Sequence, residues 1–509
     1  MELLNLLISQ FTKKRVGQIE HFMEHPHEVQ HQTLKDLLAK ASQTEWGQRY
    51  KYAEIKNAEA FRQRVPVSAY DDISQDIKRM LQGEHNILWP SKIKWFAKSS
   101  GTTSDRSKFI PVSQEALEDC HFRGGKDMIT LYLERNPDSR LFLGKAMSVG
   151  GTLHAQEDNE EVSYGAISAI VTKNLPIWAE FARTPSTDIA FLPWEEKLDT
   201  MAHTVADQNI TSIMGLPTWT HVVLERVLEV TGKENILEVW PNLEFFAHGG
   251  VAFGPYRELF RKLLPSDDIT YIDIYNASEG FFGLQDGDCE PDEMLLMLDY
   301  GVYYEFIPMD EFGEESPRTV GLDQVQAGKN YAMVITTNAG LWRYKIGDTV
   351  RFTSTSPYRF KISGRVKHFI NAFGEELMVE NAERAMAKAS EATGAMINEF
   401  TAAPVFTQDG QKGRHEWLVE FARAPRNLDD FAKALDEALR ELNSDYDSRR
   451  HQDLALLSPI VHKVSEGTFY NWMKKRGKLG GQNKVPRLSN SREFVEDILA
   501  AVSTEKGTL

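Results

Sequence analysis

Cysteine is nearly missing from this chain: two residues, Cys120 and Cys289, stand in 509 positions. That scarcity excludes a disulfide framework and a cysteine-rich zinc site, and it fits a reducing, cytoplasmic setting. Long apolar runs are missing too. No stretch approaches the roughly 18 residues that a membrane span requires. The opening MELLNLLISQF is apolar but short, with no basic segment before it, so it reads as an amphipathic helix rather than a secretion signal. Positive charge is also in deficit. The net charge of −16 leaves no basic footprint for DNA or RNA. No internal repeat or low-complexity tract is visible, and no His/Asp/Glu cluster has metal-ligand spacing.

What is present describes a soluble globular protein, with 41% hydrophobic and 26% charged residues. The length exceeds one hydrophobic core, so two or more domains are expected. Charge is divided unevenly. Residues 364–509 hold 21 Lys and Arg against 22 Asp and Glu, leaving 37 against 52 in the remainder. The texture changes near 358–366 as well. Together these predict a large domain over 1–363 and a smaller one over 364–509.

Residues 1–90 read as mostly helical. Apolar runs at Glu244–Ala247 and Ile269–Tyr275 read as strands. Met294–Leu298 and Val302–Ile307 are expected to pair with each other. Tyr331–Thr337 and Thr349–Thr353 flank a short loop, and amphipathic helices are expected at Thr218–Val230, Val379–Ala389 and Leu428–Asn443. Buried strands mixed with long helices predict an α/β fold.

Five stretches carry candidate chemistry. The first is Ser99-Ser100-Gly101-Thr102-Thr103, running on to Lys108. Its hydroxyl and backbone N–H donors suit an anion, and glycine permits close backbone approach. It lacks the second glycine of a Walker loop, and a polar surface turn is the alternative. The second is Tyr275-Asn276-Ala277-Ser278-Glu279-Gly280, directly after a strand, where α/β sheets place ligands. An aromatic there can face a base, Ser278 can donate to phosphate, and Glu279 can hold Mg2+; a helix start is the alternative. The third is Tyr344-Lys345-Ile346-Gly347-Asp348, in which an aspartate at a strand end can accept two ribose hydroxyls. A simple turn would look the same.

The fourth stretch runs from Gly364-Arg365 through Lys367 to Gly374, then Glu380 and Glu383. It reads otherwise as strand, turn and acidic helix start. The fifth is basic: Lys474, Lys475, Arg476 and Lys478, then a glycine-rich loop reaching Lys484. Such runs are usually solvated, yet a lysine in a glycine-rich loop can be swung into a site. Two lesser candidates are weaker. His203 and Asp207 have the spacing of some acyltransferase motifs, but also that of a helical surface pair. His248, before Gly249-Gly250, reads as structural.

Taken in this order, the five stretches resemble the adenylate-forming superfamily of acyl-CoA synthetases and luciferases. Ser99 to Thr103 resembles its phosphate loop, Tyr275 to Glu279 its aromatic–x–x–Ser–Glu motif, and Tyr344 to Asp348 its ribose motif. Gly364-Arg365 with Gly374 and Glu383 resembles its hinge, and Lys484 its C-terminal lysine. One branch is closer still: the plant-type acyl acid amido synthetases that conjugate auxin or jasmonate to amino acids. Val65-Pro66-Val67-Ser68-Ala69-Tyr70-Asp71-Asp72, Tyr303-Tyr304-Glu305-Phe306-Ile307-Pro308 and Thr336-Thr337-Asn338-Ala339-Gly340-Leu341-Trp342-Arg343-Tyr344 point there. The phosphate loop departs from the pattern, with Ser104, Asp105 and Arg106 where Gly and Pro usually stand and Lys108 displaced by one. The hinge segment is more like bacterial members of the branch.

The resemblance implies a large domain with mixed β-sheets and a small barrel-like subdomain flanked by helices, plus a smaller, mobile α+β C-terminal domain. It implies ATP and Mg2+, and two half-reactions: formation of an acyl-adenylate, then attack by an amino acid amine. Glu279 would hold Mg2+, and Ser99, Ser100, Gly101, Thr102 and Thr103 the phosphates. Tyr275, Ala277, Ser278, Gly249 and Gly250 would line the nucleotide pocket. Asp348 would take the ribose with Arg365, Lys484 would approach the α-phosphate, and Lys367 would be the pivot. An acid–CoA ligase using the same first step is the alternative, and a nucleotide-binding regulator that lost catalysis is a third. Tyr164, Ile167, Trp178 and Trp219 could line an acid pocket, with core packing as their other role. The partners are small molecules, with no nucleic acid or membrane.

Overall fold

Apolar runs of five to eight residues set the centre of this fold. The computed structural model describes the chain except at positions 1, 100–107, 157–158, 252, 288, 313–316, 366–368, 371, 373–374, 376, 407–412, 451–455, 480–483, 490 and 507–509. The strands, in chain order, begin with β1 (Trp95–Ser99), β2 (Lys108–Val112), β3 (Lys145–Val149), β4 (Leu153–Gln156), β5 (Asn159–Gly165) and β6 (Arg183–Thr184). Next come β7 (Ile210–Gly215), β8 (Phe245–Gly249), β9 (Thr270–Ala277), β10 (Gly280–Leu284) and β11 (Met294–Leu296). After them lie β12 (Val302–Pro308), β13 (Asn330–Thr337), β14 (Tyr344–Thr355) and β15 (Tyr358–Arg365). The last five are β16 (Phe369–Ile370), β17 (Leu377–Met378), β18 (Met396–Phe406), β19 (Gly413–Arg423) and β20 (Ile460–Val464).

Eleven of them form one sheet in the order β12-β13-β14-β15-β11-β10-β9-β8-β7-β3-β6. From β6 to β9 neighbours are parallel; from β9 to β12 they are antiparallel. A four-stranded sheet, β2-β1-β5-β4, lies beside it, and β18-β19-β20 form a separate sheet. The α/β reading thus holds. One buried cluster runs under the antiparallel strands and one face of β8 and β9, a second lies on the other face of the parallel strands, and the segment from Ile370 onward has its own.

Local chemistry explains the connecting helices. Pro217–Thr231 starts with proline at its first turn and stops at Gly232, which has φ +67°, the arrangement in which neither residue disturbs the helical hydrogen bonds. Val379–Thr393 begins where the Asn381 side chain accepts from the Met378 N–H and ends at Gly394, φ +66°. Among the described residues, no helix is long and apolar enough to cross a membrane.

One expected pairing is corrected. The Met294 strand, β11, pairs with β10 and β15, whereas β12 pairs with β13. The reason lies at Gly301, φ +69°. Its carbonyl accepts from the Asn338 N–H at 3.1 Å, and a Cβ there would stand 2.4 Å from Asn338 Nδ2. That close approach ties the start of β12 to the end of β13, so the chain does not fold back on β11.

Candidate functional site

The parallel strands end at a glycine pair. Gly249 closes β8 in register with Ile274 of β9, and a Cβ at Gly249 would lie 2.2 Å from the Ile274 carbonyl oxygen. Only glycine fits there. Gly250 follows with φ +81°, a conformation costly for any other residue. The chain therefore leaves the sheet beside Tyr275, at the carboxyl edge where such sheets bind ligands.

Tyr275 is buried in β9 and packs edge-on against Phe282, ring centroids 5.0 Å apart. Its hydroxyl donates to Asp348 Oδ2 at 2.5 Å. Residues read separately as base-facing and ribose-binding are thus joined. Asp348 does not stand at a strand end, as the sequence suggested, but inside β14. The ladder to β13 skips from Ala332↔Thr349 to Val334↔Lys345, and Gly347, φ +89°, allows the bulge. The register also sets Arg365 opposite Asp348.

The three stretches that suggested the amido synthetase branch meet behind this strand. Arg343 pairs with Glu305 at 2.9 Å, donates to Thr319, and donates to the carbonyls of Arg62 and Val65. The Ser68 hydroxyl donates to the Trp342 carbonyl at 2.9 Å, and its backbone bridges Arg343 and Lys345. These are buried, mutually satisfied charges and carbonyls, which hold the entry of β14 fixed. The motifs serve as a brace for Asp348.

Ser278 and Glu279 form the two-residue turn of the β9–β10 hairpin, closed by the pair Ala277↔Gly280. This is a hairpin, not the helix start considered above, because Gly280 continues straight into a fully buried strand. A single turn of π-helix, Leu117–His121, packs on it. His121 Nδ1 lies 2.9 Å from Asn276 Oδ1, and Cys120 Sγ accepts from the Phe281 N–H at 3.1 Å. Burial pushes the His121 pKa down to about 4, against the opposing bond to Asn276.

Lys484 comes from the far end of the chain. Its ammonium donates to the carbonyl oxygen of Gly250. A methyl group at Gly250 would stand 3.1 Å from Lys484 Nζ. Glycine pair, Tyr275–Asp348 pair and lysine therefore border one place.

Family models match three consecutive parts of the chain. The GH3 family N-terminal domain matches residues 15–269, the central domain 295–365 and the C-terminal domain 380–493. The chain belongs to the GH3 family. Indole-3-acetic acid-amido synthetase GH3.4 of Arabidopsis thaliana is 27% identical, over 92% of this chain and 90% of that protein. The solved GH3.15 acyl acid amido synthetase has the same fold, with a TM-score of 0.77 at 18% identity, covering 96% of this chain and 95% of that one. A 2-hydroxyisobutyryl-CoA ligase, solved in a postadenylation state, shares the fold with a TM-score of 0.54 at 13% identity, covering 93% and 91%.

Not every candidate joins the site of this GH3 protein. Ser99 ends β1 opposite Lys108; Ser100, Gly101, Thr102, Thr103 and Lys367 lie outside the described residues. Lys108 sits over the Tyr70 ring at 5.8 Å. Ile167 and Trp219 are core residues, and Tyr164 packs on Phe109 and His154. His203 is exposed and 4.0 Å from Asp199, and His248 is buried and stacked on Phe253, so neither is placed for catalysis. Arg476 stacks on Trp472, and Lys474 and Lys475, both exposed, end the helix Thr468–Lys475. His121 was missed by sequence reading. No motif marks it, and only the Asn276 contact across 155 positions reveals it.

Proposed function

We propose that this GH3-family chain is an ATP-dependent ligase. It joins a carboxylic acid to an amino acid through an acyl-adenylate, releasing AMP and pyrophosphate. The observation that carries the reading is Lys484 on the Gly250 carbonyl: an ammonium from the chain's last quarter set at the edge of the Tyr275–Asp348 pocket. The amino acid acceptor is supported by the named activity of the Arabidopsis relative.

In the first step a carboxylate oxygen attacks the α-phosphorus of ATP and the bond to pyrophosphate breaks. Negative charge gathers on the phosphate oxygens, so positioning and electrostatic stabilisation govern the rate. Lys484 supplies a cation there. Tyr275 and Asp348 hold the nucleoside, with Arg365 opposite; Gly249, Gly250, Ala277 and Ser278 give it close backbone; Ser99 to Thr103 take the outer phosphates. In the second step the amine nitrogen attacks the acyl carbon, AMP leaves, and the amine loses a proton.

Among the described residues no three His, Cys, Asp or Glu side chains gather to cage a metal. A single carboxylate at a hairpin tip, Glu279, suits an ion shared with nucleotide phosphates, as Mg2+ usually is. Bound there, Mg2+ would neutralise phosphate charge. We further propose a division at residue 363 into adenylation and lysine-bearing domains, with Lys367 the pivot, and a cytoplasmic setting consistent with the scarcity of cysteine.

The test is ATP–pyrophosphate exchange across a panel of carboxylic acids, followed by addition of amino acids or CoA. Acid-dependent exchange and amide product are expected. Thioester without amide would transfer the protein to the acid–CoA ligase reading, which uses the same adenylation step. No exchange with any acid would sink both.

A further inference from the structure

Arg487 stands three residues after Lys484 and is buried. Its Nη2 donates at 2.6 Å to the hydroxyl of Tyr256. Tyr256 belongs to the stretch matched by the N-terminal family domain, and Arg487 to that matched by the C-terminal one. This bond therefore crosses between them. On its own side the guanidinium pairs with Glu399, lies 3.5 Å from Glu383, donates to the Phe400 carbonyl at 3.2 Å and stacks 4.5 Å from the Phe400 ring. Four fixed contacts leave it one direction, across the interface to Tyr256. Tyr256 Oη also reaches Glu399 Oε1 at 3.5 Å, so the phenol closes the ring of contacts.

The backbone between the two residues is short and anchored. Thr401 donates to the Pro486 carbonyl, the Ala402 N–H to the Arg487 carbonyl, and the Ser489 N–H to the Ala402 carbonyl. Whatever fixes Arg487 therefore fixes where Lys484 can reach. Tyr256 in turn lies six residues beyond Gly250, whose carbonyl receives that lysine.

We infer that Tyr256 and Arg487 form a clasp between the two parts of the chain, and that they are positioning residues which set Lys484 for adenylation. Neither needs to touch a substrate. The arginine's planar fork matters, since it donates to a phenol and a carbonyl while lying beside two carboxylates, which an ammonium cannot do. The inference rests on the proposed adenylation for its kinetic part only.

The test uses the full-length chain with Tyr256→Phe, which keeps the ring and removes only the hydroxyl, and Arg487→Lys, which keeps the charge. Loss of one hydrogen bond to a buried charge predicts acid-dependent pyrophosphate exchange slower by about tenfold in kcat for Tyr256→Phe. KM for ATP should stay unchanged, as should aminolysis of added acyl-adenylate. Arg487→Lys should behave alike or worse. A purely structural role would lower both half-reactions together, and that result, or unchanged exchange, overturns the clasp. Deuterium exchange of backbone amides supplies an arm independent of activity. Tyr256→Phe should speed exchange in 484–489 and in 246–256 alike; unchanged protection in both overturns the clasp. If the wild type shows no pyrophosphate exchange, the ligase reading fails, and this second arm still decides the clasp.

Discussion

The two sides of the site are held by different forces. The Gly249–Tyr275–Asp348 side is set by backbone register: β8 against β9, the β9–β10 hairpin, and a bulge in β14. Moving any of these by one residue would break a ladder of hydrogen bonds and turn buried side chains outward. Lys484 is set instead by side chains, its own ammonium on Gly250 and the nearby Arg487 on Tyr256. A nucleotide pocket needs constant shape, and sheet register provides it. Under the proposed two-step reaction, a lysine needed for one step would benefit from contacts that can form and break singly, at a cost of one or two hydrogen bonds rather than a ladder.

Removing the lysine breaks that comparison at its movable side. Lys484→Ala should slow acid-dependent pyrophosphate exchange by about a thousandfold, roughly 4 kcal/mol of lost charge stabilisation. Nucleotide affinity, measured by calorimetry, should hold, because Tyr275 and Asp348 stay in register. Unchanged exchange would remove Lys484 from the chemistry.

The fixed side has its own probe in pH. His121, fully buried on the hairpin, has its pKa pushed down to about 4 from an ordinary 6.5. Above pH 6.5 neither folded nor unfolded chain protonates it, and its contribution to stability is intact. Between 6.5 and 4 the unfolded chain takes up the proton and the folded chain does not, so stability falls with pH, by about 3 kcal/mol in total. His121→Gln should flatten the fall in unfolding free energy over that window, as followed by denaturant titration at stepped pH. Parallel slopes for the two proteins would show that His121 is not the group responsible.

The same contrast explains what was legible in the sequence. Glycine pairs and apolar runs are local signals, so β8, β9 and the motif that follows β9 could be located in advance, whereas the hairpin turn at Ser278-Glu279 and the bulge at Gly347 depend on the partner strand and could not. Lys484 was singled out chiefly by motif order, because its local cue, a glycine-rich loop after a basic run, is also that of a solvated turn. Pairing is a long-range property. The tie between Gly301 and Asn338 that sends β12 to β13 spans 37 positions, and no periodicity encodes it. Arg487 and Tyr256 were invisible for the same reason: a lone arginine and a lone tyrosine 231 positions apart look like any others. Even the stretch Val65–Asp72, Glu305 and Arg343, quoted for their resemblance, did not disclose that Val65, Glu305 and Arg343 form one brace.

Gly250 lies where the two sides touch, which makes it the sharpest probe of their meeting. Gly250→Ala adds a methyl 3.1 Å from Lys484 Nζ and strains a φ of +81°. The lysine tip must give way by a few tenths of an ångström, well under the shift of about 1 Å that costs roughly a hundredfold in rate, so exchange should fall by about tenfold. Addition of acyl-adenylate and amine should bypass most of the loss. Equal loss in both half-reactions would mean that the glycine supports the pocket and not the approach of the lysine.

The mildest change is to the fixed side, and it separates register from hydrogen bonding. Tyr275→Phe leaves β9 and the packing on Phe282 in place and removes the hydroxyl that donates to Asp348. Asp348 is still held by the bulge at Gly347 and by pairing with β15. If register positions this side, the carboxylate stays near the ribose and loses only one orienting donor. That is about 1 kcal/mol, or a several-fold rise in KM for ATP with kcat unchanged. A drop in kcat comparable to that of Gly250→Ala would contradict the division drawn here, since the pocket would then depend on single side-chain contacts as much as the lysine does.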